Sequence, residues 1–177
     1  MHLYFNFSDA SKVYVTDLNP ITVDNLHYNI SLNEQQTSPS GTSWKDRLNA
    51  MPINWEDRST WPDEKIDFVI GSDLIYQSSI VPILKQVVLG LCRGQGSFLY
   101  VAPDIESEIG RDGLAEFIEE MKKTPGCEVA SEKLAPKEYH ANPLCSQDDD
   151  ECFLHFHELS SCTYRLYEFK MNVTPQK

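Results

Sequence analysis

The sequence predicts an α/β fold with a mainly parallel sheet that ends in antiparallel edge strands. Three apolar strand-like segments, each followed by a helical segment, alternate in the first two thirds of the chain. After Cys127 the pattern changes to strand-like segments alone, which is typical of an antiparallel edge. At 177 residues the chain is long enough for one domain that buries its own core.

The first strand-helix pair is predicted from Lys12 to about Leu32. The segment Lys12–Asp17 is apolar and β-branched and ends in an acid. Asn19 can cap a helix, and proline is tolerated at the first helical position, so a helix is predicted over Pro20–Leu32. Its apolar stripe recurs at three- and four-residue spacing: Val23, Leu26 and Ile30.

The next two strands precede the residues of greatest chemical interest. Met51–Trp55 is short and contains Pro52, which cannot donate to a ladder, so we expect it at a sheet edge. The run Asp67–Ile70 predicts a strand covered on both faces. It stops at Gly71-Ser72 and is followed by Asp73 and, three residues later, Tyr76.

The remaining elements follow from the same patterns. Ser78 or Ser79 can cap a helix that stops near Gly94, and a second helix is predicted from a cap near Asp112 to Gly126. The other predicted strands are Gly96–Ala102, Glu128–Leu134, Cys152–Glu158 and Tyr164–Met171, and His2–Phe7 suits either an edge strand or a loosely docked terminus.

Charge and cysteine content restrict the partners and the compartment. Acidic residues outnumber basic ones 27 to 15, a balance that disfavours nucleic acid and anionic membranes and favours a basic partner or a lysine-bearing substrate. The same charge also fits a role in solubility alone. Five cysteines without a C-x-x-C pair, and no signal peptide or membrane-length segment, predict a cytoplasmic or nuclear protein.

Acidic, amide and aromatic groups follow the predicted strands. Asp17 is placed to accept hydrogen bonds from ribose hydroxyls, or alternatively to cap the helix. Asn54 and Trp55 can hold an adenine by an amide hydrogen bond and stacking, or the tryptophan can cover the sheet edge. Asp73 and Tyr76 can orient an amine nucleophile, or they can be a turn acid and a packed tyrosine.

These three segments together resemble the seven-strand, S-adenosylmethionine-dependent methyltransferases. The motifs are Val13–Asn19, Ile53–Trp55 and Ile66–Tyr76, and the similarity is greatest to small protein-lysine methyltransferases with an Asp-x-x-Tyr motif after strand four. The resemblance implies a Rossmann-like sheet, S-adenosylmethionine as cofactor and a protein substrate. It implies cofactor binding by Asp17, Asn54, Trp55 and Ser72, and catalytic roles for Asp73 and Tyr76.

The chain departs from this family before Asp17. The family begins with a strand and a Gly-rich turn, and no such segment precedes Asp17. His2–Phe7 lies too close to the next strand for a parallel crossover. We therefore expect an N-terminally incomplete sheet and either weak binding of S-adenosylmethionine or none. Within a single domain over 1–177, we distinguish an atypical N-terminus (1–11), a cofactor-side half (12–104) and a C-terminal part (105–177).

Three other functions fit parts of the sequence. A non-catalytic interaction protein on the same scaffold is the rival from another class. A dinucleotide-dependent enzyme is disfavoured because the chain has no G-x-G-x-x-G turn. A zinc site in the tail is also disfavoured, because its candidate ligands do not form the compact C-x-x-C or H-x-x-x-H spacing of a zinc knuckle, and we expect no metal there. Its candidate ligands are Cys145, Cys152, His155 and His157.

Overall fold

The computed structural model describes residues 10–32, 47–93, 95–103, 112–135 and 164–172, and the chain divides into two compact units, Met1–Trp61 and Pro62–Lys177. The predicted strands His2–Phe7 and Cys152–Glu158 lie outside the described residues. The elements are β1 (Val13–Asp17), α1 (Pro20–Leu32), β2 (Leu48–Pro52), β3 (Phe68–Ser72), α2 (Val81–Cys92), β4 (Gln95–Pro103), α3 (Leu114–Lys122), β5 (Cys127–Leu134) and β6 (Tyr164–Asn172).

In the first unit, β1 and β2 form a parallel pair whose register runs from Val13 opposite Leu48 to Asp17 opposite Pro52. Helix α1 has the predicted bounds, and the side-chain oxygen Oδ1 of Asn19 accepts the Ile21 N–H at 2.9 Å. Asn19 therefore caps the helix as predicted. The predicted strand Met51–Trp55 was wrong in its bounds, because it begins earlier and ends at Pro52, whose nitrogen carries no hydrogen for a ladder.

The second unit contains a four-stranded sheet in the order β3-β4-β6-β5. Strands β3 and β4 are parallel, whereas β6 is antiparallel to both β4 and β5. The parallel pair joins residues that are separated by helix α2, which provides the crossover that parallel strands require. The α/β class and the antiparallel C-terminal strands are therefore confirmed.

The core of this unit lies between the sheet and the helices α2 and α3. An aromatic cluster fills it, in which Phe117 of α3 meets Phe98 of β4 at 6.1 Å and Phe169 of β6 at 5.6 Å between ring centroids. Phe98 and Phe169 are themselves paired across the strands and stacked at 5.9 Å. All three rings are fully buried, so this cluster contributes strongly to the apolar burial that stabilises the unit.

Strand β3 is not covered on both faces, so that prediction was wrong. Phe68 and Ile70 are 62% and 54% exposed, whereas Gly71 is buried. Gly71 packs against Phe98, on the face where the helices lie, and the alternation of a strand then directs Phe68 and Ile70 to the opposite face. An apolar run therefore marks the strand correctly without showing how many of its faces are covered.

The predicted helix caps in the second unit were also wrong. A 3₁₀ turn over Ser78–Ile80 precedes α2. The side chain of Gln77, which precedes the turn, makes no capping hydrogen bond, and neither does that of Ile80, which precedes α2. Helix α3 starts after Gly113, which has a positive φ of 99° and likewise supplies no side-chain cap. None of the helices in the described part of the chain is both long and apolar enough to cross a membrane.

Candidate active site

The loop that follows β3 carries Asp73 and Tyr76, and its backbone is attached to β4. The Asp73 N–H donates to the Val101 carbonyl at 2.8 Å. The next two amides, those of Leu74 and Ile75, both donate to the Tyr100 hydroxyl, at 3.0 and 3.2 Å. Three consecutive N–H groups are thus satisfied by one strand, which fixes the path of the loop.

Close packing restrains the same loop from two further directions. A Cβ on Gly71 would stand 2.6 Å from Cδ1 of Leu74, so the leucine occupies space that only glycine leaves open. On the other side, a Cβ on Gly113 would stand 2.9 Å from Cα of Ser78 and 3.2 Å from Cγ2 of Ile75. Ile75 is completely buried between these contacts and anchors the loop in the core.

The two candidate catalytic residues differ from Ile75 in exposure. Tyr76 is 63% exposed, so it is not a packed core tyrosine. Asp73 is partly buried and has a φ of 48°, in the left-handed region that few residues other than glycine adopt. Ser72, the last residue of β3, is exposed. The loop therefore presents a hydroxyl, a carboxylate and a phenol from a rigid backbone.

The Tyr100 phenol is the residue of this region that sequence reasoning missed. Burial raises the pKa of Tyr100, and the nearby Asp73 and Tyr76 raise it further, against the opposing effect of the two amide hydrogen bonds. The phenol therefore remains un-ionised at neutral pH. In the sequence, Tyr100 is only one apolar position of a strand, so its partners on another strand's loop leave no signal in the pattern.

In the first unit, the ends of β1 and β2 are joined by a hydrogen bond from the Ile53 N–H to the Asp17 carbonyl at 3.2 Å. The carboxylate oxygen Oδ1 of Asp17 accepts the Asn19 N–H at 2.8 Å. Asp17 therefore stabilises the turn that leads into α1, but the helix itself is capped by Asn19, so the alternative that Asp17 caps the helix was wrong. Among the described residues, its second oxygen, Oδ2, accepts no hydrogen bond.

Asn54 and Trp55 lie in a turn beyond the end of β2 rather than on the strand. The Asn54 side-chain oxygen accepts the Glu56 N–H at 3.0 Å, and its backbone carbonyl accepts the indole N–H of Trp61 at 2.8 Å. Trp55 itself is partly exposed. The turn is well ordered by hydrogen bonds, and the Trp55 ring keeps part of its surface available for stacking.

The predicted site residues thus fall into two groups. Asp17, Asn54 and Trp55 lie at neighbouring strand ends of the first unit, and Ser72, Asp73 and Tyr76 lie on one loop of the second unit. The zinc candidates of the tail lie outside the described residues. Within the described ranges, no group of three or more histidine, cysteine or acidic side chains is arranged to hold a metal ion.

Three solved structures share the fold at low sequence identity. A protein from Galdieria sulphuraria described as a sarcosine dimethylglycine methyltransferase is 11% identical over 90% of this chain and 69% of its own, with a TM-score of 0.57. The [4+2]-cyclase SpnF is 9% identical to this chain, and the match covers 92% of this chain and 67% of the cyclase with a TM-score of 0.57. An O-methyltransferase from Bacillus cereus, solved with SAH, is 11% identical to this chain, and the match covers 90% of this chain and 62% of the O-methyltransferase with a TM-score of 0.51.

The sequence comparison is more specific than the structural one. No curated protein matches the chain. A family model described as "Lysine methyltransferase" matches residues 3–124, which is well over half of the chain. This stretch includes Asp17, the turn after β2 and the whole loop from Ser72 to Tyr76. On this match, and with the fold in agreement, the chain belongs to the lysine methyltransferase family.

Proposed function

We propose that this chain transfers a methyl group from S-adenosylmethionine to the side-chain amine of a protein lysine. The observation that carries the proposal is the loop after β3, in which Asp73 and the exposed Tyr76 stand on a backbone fixed by three hydrogen bonds to β4. A fixed carboxylate beside an accessible phenol suits the positioning of an amine. The description of the matching family supports lysine as the acceptor.

The residues that would hold the cofactor have suitable donor and acceptor groups. Asp17 retains an oxygen, Oδ2, that accepts no hydrogen bond from the described residues and can accept one from a ribose hydroxyl. The partly exposed ring of Trp55 can stack on the adenine, and Asn54 can contribute its amide group. The exposed Ser72 hydroxyl would contact the methionine part. When bound, S-adenosylmethionine supplies the electrophilic methyl group.

The protein's own residues must bring a neutral amine into line with that methyl group. A lysine ammonium has an ordinary pKa of about 10.4, so it must first lose a proton to the solvent. The lone pair of the neutral amine would then form the new N–C bond as the methyl–sulfur bond breaks. Asp73 accepts a hydrogen bond from the amine and orients it, while Tyr76 restricts its approach. Fixed geometry of this kind contributes mainly through proximity and orientation.

The charge of the chain suits such a substrate. Its formal net charge of −12 attracts basic protein segments, where lysines are concentrated, and raises the rate of encounter at low ionic strength. The same charge disfavours binding to a nucleic-acid backbone. A lysine-bearing protein partner, without nucleic acid or membrane, is therefore part of the proposal, as is a cytoplasmic or nuclear location.

The test is methyl transfer from S-adenosylmethionine labelled with tritium in the methyl group. The chain is incubated with a heat-treated cell lysate as acceptor mixture, and labelled protein is hydrolysed and analysed for methylated lysine. Asp73→Asn preserves size and is expected to reduce labelling at least about a hundredfold, with cofactor affinity within about threefold of the parent. Tyr76→Phe is expected to reduce labelling less severely.

Two outcomes would contradict the proposal. Label in residues other than lysine would show a different acceptor. No protein labelling by the parent chain, in a titration that also detects no binding of S-adenosylmethionine, would favour the non-catalytic interaction protein.

A further inference from the structure

We propose that Tyr100 is a positioning residue whose hydroxyl holds the Asp73–Tyr76 loop in its active geometry. This inference rests on the proposed function for its catalytic consequence, but its structural part concerns the loop alone. Tyr100 is 1% exposed and lies on β4, one residue before Val101. Its hydroxyl accepts the N–H groups of Leu74 and Ile75, two of the three residues between Ser72 and Tyr76.

The hydroxyl and the ring of Tyr100 have separable roles. The ring packs in the aromatic core, stacked on Phe98 at 5.5 Å and tilted against Phe117 at 6.2 Å between centroids. Phenylalanine would keep both ring contacts. It would leave the N–H groups of Leu74 and Ile75 without their acceptor, and the Ile75 N–H lies in a buried environment.

The backbone of Asp73 explains why the loop needs this support. Its φ of 48° lies in the left-handed region, which aspartate adopts more readily than most residues with a side chain but less readily than glycine, so the surrounding contacts help to hold it there. The Val101 carbonyl holds the Asp73 N–H at 2.8 Å, and the Tyr100 hydroxyl holds the two amides that follow. Loss of the hydroxyl would let Asp73 relax toward a negative φ, which displaces its own carboxylate and the phenol of Tyr76.

Electrostatics agrees with this proximity. The Tyr100 phenol has its pKa raised first by burial and then by Asp73 and Tyr76, so both candidate catalytic residues lie within electrostatic reach of its oxygen. The hydrogen bonds from the Leu74 and Ile75 amides lower the pKa instead, as expected where both N–H groups donate to the phenol oxygen.

The structural test is amide hydrogen exchange followed by NMR in Tyr100→Phe. We expect exchange at Leu74 and Ile75 to accelerate about tenfold or more, as expected for the loss of neutral hydrogen bonds, while β4 and β6 amides remain protected. Tyr167→Phe is the matched control, because Tyr167 is another buried tyrosine of the aromatic core, on β6. Unchanged exchange at Leu74 and Ile75, or a uniform acceleration throughout the sheet, would overturn the proposal.

The catalytic test separates kcat from KM in the labelling assay. Tyr100→Phe should lower kcat at least about tenfold and leave the KM for S-adenosylmethionine unchanged, whereas Tyr167→Phe should change neither. Faster exchange at Leu74 and Ile75 with parent-like kcat would overturn the positioning role in catalysis. If the parent chain transfers no methyl group, the proposed function fails, and the exchange measurement still decides whether Tyr100 holds the loop.

Discussion

The buried thiol of Cys92 should make the stability of the protein fall at alkaline pH. Cys92 ends α2, is fully buried, and lies against Gly96 of β4. Burial raises the pKa of its thiol from 9.0 to about 11, with a smaller contribution from Cys127. The unfolded chain therefore releases this proton at a lower pH than the folded chain does. Because the pKa is higher in the folded state, the thiol makes its full contribution to the free energy of unfolding below pH 9. It loses that contribution as the pH rises toward 11.

The magnitude follows from the two pKa values. This thiol should lower the free energy of unfolding by about 1.4 kcal/mol at pH 10 and about 2.3 kcal/mol at pH 11, relative to pH 7. Urea unfolding of the parent and of Cys92→Ala at pH 7, 9, 10 and 11 isolates the effect, because all other titrating groups are common to both chains. Parallel pH dependences for the two chains would refute the argument.

Three further changes test the packing and the caps. Gly113→Ala should lower the free energy of unfolding by about 2 kcal/mol or more, because φ is 99° and the new Cβ would stand 2.9 Å from Cα of Ser78. Calorimetry should show a Tm lower by about 4–8 °C, and an unchanged Tm would contradict this. Phe117→Ala should cost about 3–5 kcal/mol in urea unfolding, whereas Ala115→Ser, exposed on the same helix, should cost about 0.5; equal losses would refute the core assignment. Asn19→Ala should cost about 1 kcal/mol and Asn19→Asp much less, and a loss of helical circular dichroism would accompany the first alone.

The elements that could be predicted from the sequence are those with a strong local signal. The helix Pro20–Leu32 was predicted with its start at Pro20 and its end near Leu32, because a capping asparagine, a proline at the first position and a helical apolar period all agree. The strand predicted over Gly96–Ala102 is observed as β4 over Gln95–Pro103, because a run of apolar residues that stops at Pro103 is a strong local signal. The Asp-x-x-Tyr loop was recognised as a loop for a similar reason, since Gly71 and Ser72 end the apolar run.

The features that could not be predicted depend on contacts between distant segments. Serines before α2 indicated a side-chain cap, yet the chain enters the helix through a 3₁₀ turn whose backbone packs on Gly113. Phe68 and Ile70 indicated a strand covered on both faces, but apolar composition carries no information on which face receives the helices. The anchoring of the loop by Tyr100 joins residues 25 and 26 positions apart, which no periodicity records.

The rigidity of the loop after β3 bears on how function is assigned on this fold. A similar sheet occurs in a [4+2]-cyclase and in proteins described as methyltransferases, so the fold alone does not select the reaction. The selection has to come from side chains on a few loops, and those loops must be held more precisely than surface segments usually are. Here one buried phenol and two glycines hold Asp73 and Tyr76, while neither residue is itself part of the core. The choice between an enzyme and an interaction protein therefore depends on the side chains of Asp73 and Tyr76, which Asp73→Asn and Tyr76→Phe test directly.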